Sequence, residues 1–193
     1  MKQHLQLLKN YLNAYTELQP KEWEHIAGNV ELLSFDKKEY LTLVGQKFDY
    51  IDFVVEGNVR IFFLAEDKRE ISIDFCFSNQ LIMNLCMRPL SKTSEFFVQA
   101  LSATKILRMK ESDHEYLNRT FTSYQKRRIK IVGNQLSDKV MHQKNLLSLN
   151  AEENYQKVMA EHPEIIKQIP VKDIASYLGI HPESLSRIRK NLV

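Results

Sequence analysis

The 193-residue chain is short of the residues that break or staple a fold. It has five Gly, five Pro, two Cys and one Trp. So little Gly and Pro excludes a collagen-like or low-complexity chain. Cys76 and Cys86 are too few for a disulfide framework or a cysteine zinc site. In a strand-rich stretch they read as buried apolar side chains of a reducing compartment, with a redox pair as the other reading. No run approaches the roughly eighteen apolar residues of a membrane helix. The amphipathic start, MKQHLQLLKNYL, lacks the apolar core and cleavage site of a secretory signal, so a cytoplasmic location is expected. The six His are His4, His25, His114, His142, His162 and His181, and none lies between Val30 and Met109. A jelly-roll metalloenzyme needs His and carboxylate ligands on neighbouring strands, and this strand region has no His to offer. G-x-S-x-G, Walker and H-E-x-x-H patterns are absent too. No metal and no catalytic residues are expected, and the chain does not read as an enzyme.

What remains is an ordinary globular composition, 44% apolar and 26% charged, with room for one large domain or two small ones. Leu5, Leu8, Leu12 and Tyr15 recur at helical spacing, and Pro20 opens a second short helix that ends at Gly28. From Val30 to Met109 the runs VELLSF, EYLTLV, YIDFVVEG, NVRIFFLAED, REISIDFCF, EFFVQALS and TKILRM predict seven or eight strands with tight turns, a sandwich or small barrel. Residues 78–95 interrupt them as a longer connection with a helical turn. The helical period then returns. Ile129, Val132, Leu136 and Val140 form one stripe on a helix expected over about 122–144, about 35 Å long. A long helix with a narrow apolar seam pairs with a copy of itself, and Gly133 either eases that approach or only weakens the helix. Asn150 and Glu153 form a capping-box start to the next helix. The net charge of +3 is uneven: residues 122–147 carry +5, the segment from Ser148 carries none, and residues 1–121 carry −2. A polyanion would favour the middle and the last helix.

The last block, IPVKDIASYLGIHPESLSRIRKNLV, carries the most specific pattern. Ile174, Ala175 and Leu178 give one short helix an apolar face, and Gly179 suits the left-handed conformation that ends it. His181-Pro182 opens a second helix whose inner face is Leu185, Ile188 and Leu192. Two short helices joined by a Gly-containing turn make a helix-turn-helix. Arg187 on the outer face can meet guanine O6 and N7, and Glu183 can accept from cytosine N4 or hold Arg187. Arg189, Lys190 and Lys172 are placed for phosphate. The other reading is a plain helical hairpin with a surface Glu–Arg pair. The pair's place after A-x-x-L-G-I favours the helix-turn-helix.

On IASYLGIHPESLSRIRK, YIDFVVEGNVRIFF and FDKKEYLTLVGQ, the sequence resembles the Crp/Fnr family of bacterial transcription regulators over nearly its whole length. The resemblance implies an α+β fold. A double-stranded β-helix (jelly-roll) sensor with N-terminal helices would occupy 1–110, a long dimerisation helix and hinge 111–147, and a helix-turn-helix domain 148–193. It implies a homodimer on a roughly palindromic operator, paired along Ile129, Val132, Leu136 and Val140. Double-stranded DNA and a second copy of the chain are the implied partners, with RNA polymerase admitted as a further one. Glu183 and Arg187 fall on the base-reading positions, with Ser184, Arg189, Lys190 and Lys172 beside them. Pro182 stands where some members carry a contacting Arg, and the sequence ends before the usual wing strands. The alternative is a dimeric effector-binding or protein-interaction module whose helix-turn-helix no longer reads DNA.

Members that bind cyclic nucleotides clamp the phosphate with Gly-Glu and, about ten residues on, an Arg pair. Met83-Asn84 and Ser94-Glu95 stand at those places here, and Leu136 and Ser137 where adenine is met. These six are the expected effector pocket. It lacks the phosphate clamp, so cyclic AMP is not expected and no cofactor is assigned: the barrel has no nucleotide ligand, or has a different, more apolar one. With no Cys before position 76, the iron–sulfur mechanism of some members is excluded, and no haem ligand has the spacing.

Overall fold

A computed structural model describes residues 1–47, 49–82, 93–161 and 163–192, with the side chains of 164–166 left aside. Met83, Asn84, Cys86, Arg88, Lys92 and His162 lie outside the described residues. Helices α1 (Lys2–Asn13) and α2 (Pro20–Gly28) open the chain. Pro20 sits in the first turn of α2, and Gln19 and Glu22 close a capping box around its start.

Among the described residues eight strands follow: β1 (Val30–Phe35), β2 (Tyr40–Thr42), β3 (Tyr50–Glu56), β4 (Asn58–Leu64), β5 (Glu70–Phe77), β6 (Gln80–Leu81), β7 (Phe97–Ala100) and β8 (Thr104–Lys110). They form two four-stranded sheets, β1-β8-β3-β6 and β2-β7-β4-β5, with antiparallel pairing throughout. Strand β6 falls inside the expected 78–95 connection, because Gln80 and Leu81 pair with Val54 and Phe53. Val54, Val59, Ile61, Cys76, Val98, Ala100 and Ile106 share one buried cluster of the roll. Strand β3 is buried on both faces, which explains its unbroken apolar run. Val54 packs into that cluster, while Ile51, Phe53 and Val55 pack with Leu8, Leu12 and Ile26 of the N-terminal helices. Gly57, at φ +85°, makes the β3–β4 turn, and a Cβ there would lie 2.5 Å from the Ala103 carbonyl oxygen. Burial pushes the Cys76 thiol well above its ordinary pKa, so it behaves as an apolar side chain.

Helices α3 (Glu111–Thr120) and α4 (Thr122–Ser148) follow, separated by an extended Phe121. At 27 residues α4 is about 40 Å long. Tyr124 and Ile131 join the core beneath α1 and α2. Between them the fully buried Arg127 pairs with Glu22. It also donates to the carbonyls of Thr16 (3.1 Å), Leu12 and Glu17 (both 3.2 Å).

Folding therefore withdraws part of the basic run from any polyanion. Arg127 is internal and Lys139 pairs with Asp74, while Lys130, which donates to the Tyr15 carbonyl, stays exposed. The long helix, expected over about 122–144, continues to Ser148, and the extended Leu149 ends it. Asn150 then caps α5 (Ala151–Glu161). Its Oδ1 accepts from the Glu152 and Glu153 amides, and its own amide donates to Glu153 Oε2, all at 3.0 Å. Short helices α6 (Pro163–Gln168), α7 (Val171–Tyr177) and α8 (Pro182–Asn191) complete the chain. Among the described residues no helix is long and apolar enough to cross a membrane.

Candidate nucleic-acid interface

The turn between α7 and α8 is built by local chemistry. Gly179 takes φ +67°, its amide donates to the Ser176 carbonyl, and the Ile180 amide reaches back to Ala175. These two bonds are the Schellman arrangement, which satisfies the last carbonyls of α7 and turns the chain. Pro182 then starts α8, where a missing N–H costs nothing. Ile174, Ala175, Leu178 and Leu185 are buried together with Tyr155, Val158 and Ile169, so the two helices cross over a small side chain, as the spacing predicts.

Burying Leu185 sets which face of α8 looks outward. Glu183, Ser186, Arg187, Lys190 and Asn191 are exposed, while Ser184 and Arg189 are half-buried on the flanks. Lys172, near the start of α7, is exposed as well. The sequence reading passed over Ser186, although it lies three residues from Glu183 and beside Arg187. A helical projection anchored on Leu185 finds it. Asp173 is buried and paired with Arg60 at 3.1 Å, so this acid of the C-terminal segment is not on the surface.

Along α4, Ile129, Leu136 and Val140 are exposed at 70%, 58% and 56%. Val132, in contrast, is half-buried against the core under the N-terminal helices. The stripe is thus an apolar seam free within one chain, with Val132 at its inner margin. Gly133 is exposed beside it, with open space where a Cβ would stand.

The expected effector residues do not converge. Ser94 is buried and donates to the Phe96 carbonyl at 2.7 Å, while Glu95, Leu136 and Ser137 are exposed. Met83 and Asn84 are outside the described residues. A cleft of about 690 Å³ opens instead beside β5 and β6, against the next face of α4. Asp74, Gln135, Asp138, Lys139, His142 and Tyr177 are among its lining residues. The register on the helix is shifted because Gln135 and Lys139 face the sheet: Gln135 donates to the Leu81 carbonyl at 3.2 Å and Lys139 meets Asp74 at 2.6 Å.

The helix-turn-helix also rests on the β-roll, a contact with no signature in the sequence. Phe75 and Phe77 of β5 belong to the same buried cluster as Ile174, Tyr177 and Leu185. The Ser72 amide donates to Ser176 Oγ, and that hydroxyl donates to the Glu70 carbonyl, both at 2.9 Å. Arg60 joins Glu70 (2.6 Å), Ser72 (2.8 Å) and Asp173, and Asn58 donates to Gln168 Oε1 at 2.7 Å. The His142 ring stacks on Tyr177 with centroids 4.0 Å apart.

No protein-family model matches the chain, and no curated protein matches it either. Solved structures do resemble it. FixK2 from Bradyrhizobium japonicum is 20% identical with a TM-score of 0.74, over 84% of each chain. The c-di-GMP-responsive global regulator CLP of Xanthomonas campestris is 17% identical with a TM-score of 0.68, over 90% of this chain and 91% of that one. A protein from Eubacterium rectale assigned to transcriptional regulators of the Crp/Fnr family is 16% identical with a TM-score of 0.74, over 94% of this chain and 87% of that one. In its β-roll, long helix and C-terminal helix-turn-helix, the chain has the fold of the Crp/Fnr-type regulators.

Proposed function

We propose that the chain is a sequence-specific DNA-binding transcription regulator that acts as a homodimer. The observation that carries this reading is the outward face of α8: Glu183, Ser186, Arg187 and Lys190 stand free on a helix whose other face is anchored by Leu185. Such a face fits the major groove, with Arg187 bidentate to guanine and Glu183 accepting from cytosine. Lys172, Arg189 and Ser184 supply phosphate contacts at its margins. The seam of Ile129, Leu136 and Val140 pairs two copies, which makes the operator roughly palindromic, with half-sites about 10–10.5 bp apart.

An effector, where one acts, occupies the cleft between β5 and α4. Lys139 is already paired with Asp74, and Asp138 and Glu161 add negative charge to the lining. A cyclic-nucleotide phosphate therefore finds no free cation among the described lining residues.

Selection from a random duplex pool at stated salt, without added ligand, tests the reading. An enriched palindrome is the expected result. With that site in hand, Arg187→Ala loses about 1–3 kcal/mol at the operator and relaxes base preference at one position. Equal losses on operator and random DNA would remove Arg187 from base reading. Leu136→Glu with Val140→Glu yields monomers by sedimentation. No enrichment, with or without cell extract, would favour the protein-interaction module instead.

A further inference from the structure

At one end of the β-roll a charged pair sits where the strand pattern calls for apolar side chains. Alternation along β3 and β8 puts Asp52 on the face of Val54 and Arg108 on the face of Ile106, the face that fills the roll. Asp52 is fully buried, and the Arg108 side chain is 13% exposed. They meet bidentately: Arg108 Nε and Nη2 donate to the two carboxylate oxygens, both at 2.7 Å. Nη2 also donates to the Leu41 carbonyl at 3.3 Å, and the guanidinium lies over the Tyr50 ring, 4.7 Å from its centroid.

A buried ion pair gains little over apolar packing, so its place here calls for a further use. Two observations supply one. The first is a donor left over. Arg108 Nη1 has no partner among the described residues, although the rest of the guanidinium is pinned. The second is a pocket of about 290 Å³ lined by Leu41, Tyr50, Asp52 and Arg108. Lys47 and Asp49 stand in the same lining, both exposed and without a side-chain partner among the described residues. The loop that carries them is tied down beforehand. The Gly45 amide donates to the Ser94 carbonyl at 2.8 Å, the Ser94 amide to the Gln46 carbonyl at 2.7 Å, and the Glu111 amide to the Asp49 carbonyl at 2.8 Å. Such preorganisation lowers the cost of binding.

The charges select the ligand. Lys47 and Arg108 are matched in number by Asp49 and Asp52, so the lining is neutral but divided. A simple anion meets Asp49, and a simple cation meets Lys47 and Arg108. A ligand with one charge of each sign satisfies both sides. A 150 Å³ cavity that holds benzene gives about 25 Å³ per carbon, so this pocket takes about twelve non-hydrogen atoms, room for leucine or methionine. We propose that the recess binds a free α-amino acid of that size. Its carboxylate meets Arg108 Nη1 and Lys47, its ammonium meets Asp49, and its side chain lies against Leu41 and Tyr50. The site is separate from the cleft at α4 and stands whether or not the DNA-binding reading holds.

The test titrates the full-length chain with L-leucine up to about 10 mM, read by calorimetry and amide chemical shifts. Saturable binding should move the Thr42, Tyr50 and Arg108 amides and leave those of Lys139 and His142, in the cleft, in place. Isocaproate, which lacks the ammonium, and leucinamide, which lacks the carboxylate, should each bind about tenfold more weakly. Asp49→Asn alters only an exposed side chain, so the fold is kept, and it should erase the preference for leucine over isocaproate. Lys47→Ala should weaken both. Asp52→Asn with Arg108→Gln removes the buried pair without stranding a charge and should abolish leucine binding, with the fold checked by circular dichroism. No saturable shift with leucine, methionine or glutamine would overturn the proposal. Shifts at Lys139 and His142 instead of Thr42 and Tyr50 would place the ligand in the cleft and overturn it too. Equal affinity of wild type for leucine and isocaproate would do the same, as for a plain anion site.

Discussion

Two buried arginines hold this protein together in opposite ways. Arg127 is held by the Glu22 carboxylate, which also accepts from the Gln19 amide and the Ser123 hydroxyl, and by the carbonyls of Leu12, Thr16 and Glu17. It ties both N-terminal helices to α4 inside one domain. Arg60 joins two parts of the chain that are far apart in sequence, and its local partners satisfy it without Asp173. Removing a partner from the first arrangement strands a charge, and removing Asp173 from the second does not. A buried ion pair is therefore a fixture or a releasable contact according to what each ion keeps when the other leaves.

The comparison yields graded expectations. Arg127→Ala should be the most damaging. It leaves Glu22 buried without its cation and should cost about 3–5 kcal/mol in chemical denaturation. A loss below about 1 kcal/mol would mean that water reaches Glu22 and that the two sites are alike. Phe75→Ala should come next, at roughly 3 kcal/mol for a buried phenyl ring. Because Phe75 belongs to the β-roll but packs among helix-turn-helix residues, the calorimetric transition should broaden or split. A sharp single transition at lower temperature would show that the two parts stay coupled without it.

Asp173→Asn should have the smallest effect on stability, within about 1 kcal/mol of wild type and not strongly destabilising. Burial raises the Asp173 carboxyl above its ordinary value of 3.8, with Arg60 and Lys172 opposing and Glu70 reinforcing the shift. A raised carboxyl pKa gives a stabilising contribution that is complete below 3.8 and lost as pH rises through the folded-state value. The Tm difference between wild type and Asp173→Asn should therefore shift in favour of wild type as pH falls from neutrality. A shift in favour of Asp173→Asn would mean that Arg60 dominates and that this pair resembles Arg127–Glu22 after all.

The parts of the fold with local causes were legible. Pro20, Asn150 with Glu153, Gly179 and Pro182 each mark a helix boundary that the backbone observes. The strands followed their apolar runs, and Ile129, Leu136 and Val140 are exposed as an unpaired seam should be. Three readings needed the fold. Strand β6 is too short to announce itself and exists only because β3 offers an edge. The basic stretch of α4 looked available to a polyanion until Arg127 and Lys139 found partners. On α4 the residues that line the cleft are Gln135 and Asp138, while Leu136 and Ser137 face solvent, because helix rotation is set by packing against the sheet.

The sequence by itself determined the order of the main elements, the boundaries at Pro20, Asn150, Gly179 and Pro182, and the chemistry on the outer face of α8. These depend on neighbours within a few residues, where periodicity and capping act. Only the tertiary structure decided that Phe75 and Phe77 serve the core of a helix-turn-helix a hundred residues away, and that Arg60 meets Asp173. The physical reason is that an apolar or charged side chain encodes the need for a partner without encoding which partner. That choice is made when the edge of β5 and the face of α7 satisfy each other in space.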